Sequence, residues 1–68
     1  MSENVYKIIE IVGTSTKGSD DAIEQAIAKA GTSLHNLDWF EVQEIRGHIV
    51  TGKVGHYQVK LKVGFRLD

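Results

Sequence analysis

Few residues in this sequence are equipped for chemistry. Trp39, the single tryptophan, sits in the stretch LDWFEVQEIRGHI, Leu37 to Ile49, among acids, an amide and an arginine. An indole offers a wide electron-rich face, and stacking of a nucleobase-like ring on such a face is worth ~1–3 kcal/mol. Tryptophan is equally at home closing a subunit interface, so a stacking platform and an interface plug are both open readings of Trp39. Gln58 carries a carbonyl and an amino group, and so can both accept from and donate to a pyrimidine or flavin edge. A lone glutamine on a polar face is otherwise simply solvated.

Other constellations lead elsewhere. The segment GHIVTGKV, Gly47 to Val54, comes within one residue of the phosphate-loop pattern G-x-x-x-x-G-K-[ST]. Val54 lacks the hydroxyl that pattern needs for magnesium, and the segment lies between two strand-like stretches instead of opening a helix, so it reads as a hairpin loop. His35, His48 and His56 are too dispersed for metal-ligand spacing, with no Cys or Glu-x-x-His beside them, and read as surface or interface histidines. No metal site is expected. Asp20, Asp21 and Glu24 read as capping and solvated-face residues, with no Ser-His-Asp set or carboxylate pair in view. The expectation is a protein that is not an enzyme.

The elements that must position these residues are short. The chain has 68 residues, one domain spanning 1–68, and at this size only about 60% of the unfolded chain's surface is buried. Without cysteine, no disulfide or thiolate metal supports so thin a core, which makes self-association the expected route to stability. Apolar residues at 41% and charged residues at 25% describe an ordinary globular domain. No apolar run approaches ~20 residues, and MSENVYK lacks the basic start and greasy segment of a signal peptide, so a cytoplasmic protein is expected. A net charge of −1 with scattered Lys and Arg gives no footprint for nucleic acid or anionic lipid.

Val5 to Val12, VYKIIEIV, is rich in β-branched residues and predicts a strand that ends in the turn formers of Gly13 to Ser19. Ser19 offers an N-cap, and Asp20 and Asp21 put negative charge at the helix start. At ~100° per residue Ala22, Ile23, Ala26, Ile27, Ala30, Leu34 and Leu37 share an arc of about 140°, which predicts one amphipathic helix to about Asn36 across Gly31. Two strands follow, Asp38 to Val50 and His56 to Leu67, joined by the turn Gly52 to Gly55. In the second, Tyr57, Val59, Leu61, Val63, Phe65 and Leu67 alternate with polar residues or glycine. The turn places residues whose numbers sum to 107 opposite each other, pairing Phe40 with Leu67, Val42 with Phe65 and Glu41 with Arg66. Trp39 then faces away from the helix, and Ile45 on the polar parity points to a bulge in the long strand. The expected fold is α+β: a β-α-β-β subunit with a three-stranded antiparallel sheet packed on one helix. Gln58 falls opposite Ile49, about 33 Å along the strand from Trp39. One small ligand could meet both only if they came from different subunits.

The segments VYKIIEIVGTS, LDWFEVQEIRGHIV and HYQVKLKVGFRL, spaced around one helix, resemble those of a bacterial dodecin over almost the whole chain. The resemblance implies twelve subunits forming a hollow sphere that binds flavin, usually FMN, with riboflavin possible, for storage, sequestration and photoprotection without turnover. By position, Trp39 is similar to the family's stacking tryptophan, with two flavins between symmetry-related copies, and Gln58 to the glutamine on the flavin's pyrimidine edge. Arg46 and Arg66 are similar to basic residues that meet phosphate-bearing ligands. Coenzyme A binding is implied for some members, with Tyr6 and Lys7 as candidate contacts. The alternative is a structural self-assembling module, without flavin, whose tryptophan closes an interface.

Overall fold

The computed structural model describes residues 3–67; Met1, Ser2 and Asp68 lie outside the described residues. The element order is β1 (Val5–Ser15), α1 (Ser19–Gly31), β2 (Leu37–Val50) and β3 (Lys53–Leu67). The three strands make one antiparallel sheet in the order β1-β3-β2. The helix packs on one face of it, over β1 and β3. The β-α-β-β arrangement expected from the sequence is the one observed. Its dimensions are 56 × 20 × 13 Å, a long thin slab.

β3 is the central strand, and its period-2 pattern makes the core. Val59, Leu61 and Val63 are buried beneath Ala22 and Ala26 of the helix, with Ile9, Ile11, Ile23, Ile27 and Leu37 packed around them. Those five buried residues are the whole buried apolar core among the described residues. Burying side chains of this size is worth roughly 1.5–3 kcal/mol each, so the three from β3 dominate what holds the helix down.

β1 continues through Ser15, three residues past the expected end. Gly13, Thr14 and Ser15 stay in register with Val59, Gln58 and Tyr57, and the ladder outweighs their turn-forming composition. Gly13 has a second reason to be glycine: a Cβ there would collide with the Ala22 carbonyl and the Ala26 side chain. The helix sits directly on that backbone.

Both helix ends correct the sequence reading. Gly18 occupies the N-cap, with no side-chain cap bond, so Ser19 is the first helical residue and not the cap. Ser15 works from outside instead. Its hydroxyl accepts from the Lys17 N–H at 2.9 Å and donates to the Asp21 carboxylate at 2.6 Å. Asp20 and Asp21 lie in the first turn, where the helix dipole favours them. At the far end the helix stops at Gly31, not Asn36. The Thr32 hydroxyl donates to the Lys29 carbonyl at 2.7 Å, and Asn36 turns the chain at φ 62°. Leu37 therefore reaches the core from β2, although its number also fits the helical arc.

The hairpin also differs in detail. Thr51 and Gly52 form a two-residue turn with φ 52° and 75°, which only a type I′ geometry satisfies, in place of the four-residue turn expected. The predicted pairing therefore shifts: Phe40 faces Val63, Val42 faces Leu61 and Glu41 faces Lys62. The register breaks between Leu37 and Trp39, between Val42 and Glu44, and between His48 and Ile49. At the second break Gln43 has no ladder partner, and the change of parity brings Ile45 opposite Val59 on the apolar side. That is the bulge Ile45 pointed to.

Candidate functional site

Alternation along the strands separates two surfaces. The helix side carries the core, but α1 leaves β2 beyond Leu37 largely uncovered, so Phe40, Val42 and Ile45 project their apolar side chains from that side at 47%, 37% and 57% exposure. Three large apolar side chains in a row on one strand form a surface that suits contact with another protein surface. The opposite face has no helix over it. Its middle is charged and complementary, with Lys62 between Glu10 and Glu41 and Lys60 opposite Glu44.

At one end of this open face lies Trp39. It pairs in register with Gly64, and a Cβ at Gly64 would overlap the six-membered ring of the indole. The indole is therefore seated flat across the backbone of β3. Tyr6 meets it edge-on, with ring centroids 4.9 Å apart and planes at 62°. With Gly64 beneath and Tyr6 at the edge, the outer face of the indole stays open, and Trp39 is 41% exposed. Arg66 lies beside Tyr6 in register, on this same face, and donates its backbone N–H to the Asn36 carbonyl at 3.1 Å.

Arg46 and Gln58 stand further along. They are cross-strand partners, and the Arg46 Nε–H donates to Gln58 Oε1 at 2.7 Å. Because Arg Nε is only a donor, this bond fixes which end of the amide is oxygen. The amino group of Gln58 and the second lone pair of its oxygen remain for a ligand. Glu44 lies 3.9 Å from the Arg46 guanidinium, an exposed contact of small energetic weight. The expected partner of Gln58, Ile49, is thus replaced by Arg46, and Gln58 stands six residues along β3 from Gly64, the partner of Trp39, or about 20 Å. The shorter span still exceeds what one small ligand covers.

Of the six residues singled out in the sequence, five share the open face: Tyr6, Trp39, Arg46, Gln58 and Arg66. Lys7, opposite Phe65, points to the helix side, so Tyr6 and Lys7 do not share a surface within one chain. Two features escaped the sequence. Gly64 seats the indole, and only the register identifies it. His48 and His56, read as dispersed, face each other across the hairpin.

On the helix side, a small hollow lined by Ile27, Leu37, Asp38, Trp39, Phe40 and Val63 is about 110 Å³, well below the ~300–1,000 Å³ of a small-molecule pocket. A larger open hollow of about 450 Å³ lies at the helix start, lined by Lys17, Gly18, Ser19, Asp20, Asp21 and Tyr57, far from the aromatic pair. Among the described residues no group of three or more His, Cys, Asp or Glu is placed to hold a metal ion, and no helix is long and apolar enough to cross a membrane.

The family model described as Dodecin matches residues 5–68. The chain belongs to the dodecin family. A curated dodecin from Thermus thermophilus is 56% identical over 64 residues, covering 94% of this chain and 93% of that protein. Among solved dodecin structures, that from Streptomyces davaonensis superposes with a TM-score of 0.94 at 54% identity, covering 98% of each chain. A calcium dodecin from Mycobacterium tuberculosis, described as having a novel calcium-binding site, is more distant, with 30% identity and a TM-score of 0.82 over 94% of this chain and 91% of that one. The dodecin fold, including the long two-stranded hairpin that carries Trp39, Arg46 and Gln58, is thus common to this chain and to relatives of nearly its own length.

Proposed function

We propose that this chain stores and sequesters a flavin, FMN or riboflavin, between copies of itself, and protects it from light, without turnover. The observation that carries the reading is the seat of Trp39: an indole held flat on Gly64, steadied at its edge by Tyr6, with its outer face open on the side of the sheet that has no helix. A flat face of this kind is half of a stacking site. The other half comes from a second copy, because one chain leaves the outer face of the indole uncovered and holds Gln58 about 20 Å away. Membership of the dodecin family supports twelve copies in a hollow sphere, and the apolar row Phe40, Val42 and Ile45 is a surface for such contacts.

The roles then follow from the side chains. Trp39 stacks on the isoalloxazine. Gln58, oriented by Arg46, donates its amino group to a carbonyl of the pyrimidine edge and accepts from that edge's N–H. Arg46 and Arg66 supply positive charge for a phosphate-bearing ligand such as FMN. When bound, the flavin supplies a light-absorbing ring that is a strong oxidant in its excited state. The indole in contact with it is an easily oxidised donor, giving an electron and taking it back, so the absorbed energy leaves as heat. Coenzyme A is a further candidate ligand of the assembly; Tyr6 and Lys7 could both touch it only from different copies.

Titration of flavin-free protein with FMN, read by flavin fluorescence, tests the reading. Saturable quenching supports it. A colourless protein that leaves FMN emission unchanged would leave only the self-assembling structural module.

A further inference from the structure

His48 of β2 and His56 of β3 are direct cross-strand partners, next to the break in register at Ile49. Their rings stack with centroids 5.5 Å apart and planes at 16°. Neither imidazole has a hydrogen bond or ion pair among the described residues. Two imidazoles side by side on a surface, neither engaged by another polar group, are the donor set of a small chelate. We propose that His48 and His56 form a site for a borderline divalent transition cation of the Zn2+, Ni2+ or Cu2+ kind, with one imidazole from each strand of the hairpin and water in the remaining positions.

The geometry needs only side-chain rotation. Directly opposed residues in an antiparallel pair have Cβ atoms ~4.5–5.5 Å apart, and two imidazole nitrogens bind one ion at ~2.0–2.1 Å each. Turning the parallel rings toward each other closes that gap without moving the backbone. His48 is exposed and His56 half-buried, so solvent reaches the pair and supplies the remaining ligands. Imidazole selects Zn2+, Ni2+ and Cu2+, whereas Ca2+ and Mg2+ prefer oxygen. Arg46, two residues along on the same face, disfavours a cation, and Glu44 at 3.9 Å from its guanidinium offsets that charge. Both ligands come from one hairpin, so the site needs no flavin to form.

The probe is Ni2+ added to the untagged full chain, read by calorimetry and by the histidine ring signals in NMR. Expected are one saturable Ni2+ per chain, at least tenfold weaker binding in His48→Gln and in His56→Gln, and no change in His35→Gln. In the wild-type chain, which avoids any folding defect of a variant, the paramagnetic ion should broaden the ring signals of His48 and His56 together and spare His35. Absence of saturable binding, binding that survives either single hairpin substitution, or broadening of one ring alone overturns the proposal.

Discussion

Trp39 and Gly64 are cross-strand partners in which the absence of one side chain makes the bed for the other: the indole occupies the volume that any Cβ at Gly64 would claim. Gly64→Ala must therefore tilt the indole or push the strands apart. Overpacking of this kind costs ~1–3 kcal/mol, and in a domain of this size each kcal/mol lowers Tm by about 4–8 °C. Flavin binding should weaken along with stability. A melting curve beside an FMN titration checks both, and an unchanged titration would show that the indole's tilt is irrelevant to the ligand.

The indole itself separates binding from light protection. Removing a stacking partner worth ~1–3 kcal/mol reduces affinity by roughly 5- to 150-fold, which is the loss expected for Trp39→Ala. Trp39→Phe keeps a ring to stack on but a poorer electron donor, so it should retain more affinity while the bound flavin recovers emission. Fluorescence lifetimes of bound FMN across the two variants make the comparison. Full quenching in both variants would rule out the indole as the electron donor.

Arg46 and Gln58 should act as a unit. Their bond is exposed, so its own contribution to stability is about 1 kcal/mol or less. Arg46→Ala frees the Gln58 amide to rotate, and Gln58→Leu removes the groups that meet the ring edge. With riboflavin, which has no phosphate for Arg46 to meet, the expected result is non-additive: the double variant binds little worse than Gln58→Leu alone. A double-mutant cycle on riboflavin affinity measures the coupling.

Assembly should fail when the uncovered row on β2 is charged. Phe40→Asp or Ile45→Asp places a carboxylate on a surface that otherwise presents only hydrocarbon from Phe40, Val42 and Ile45. Light scattering should report a species several-fold smaller than the wild-type assembly. Retention of full size in both variants would show that this row is not a contact surface.

The hairpin turn offers a change in the opposite direction. Thr51 is β-branched and holds φ 52° ahead of Gly52 at φ 75°. A residue of this type in the left-handed region costs on the order of 1 kcal/mol or more, and asparagine is favoured there before glycine. Thr51→Asn should raise Tm by several degrees without altering flavin binding.

The amphipathic arc and the alternation in β3 made the fold legible in the sequence, because both periods report a buried face directly. Which face Trp39 occupies was legible too, since parity survives a wrong choice of partner. The partners were not. Composition marks Gly52 to Gly55 as a turn, but whether two or four residues make it depends on φ values at Thr51 and Gly52 that no propensity fixes, and this choice moved every pair in the hairpin. His48 and His56 looked unrelated for the same reason, as did Arg46 and Gln58. The end of α1 was obscured because Leu34 and Leu37 fit the helical arc by number, while the Thr32 side chain and Asn36 stop the helix by local bonding.

The slab is one helix on one sheet, 13 Å in its thinnest dimension, with five buried apolar residues between the layers. So little interior leaves a lone subunit almost nothing to set against chain entropy. Dilution should then act on it as a denaturant does: the melting temperature climbs with the logarithm of protein concentration, and any guest held between copies deepens the native well by mass action. For such a chain, folding, association and loading form one equilibrium.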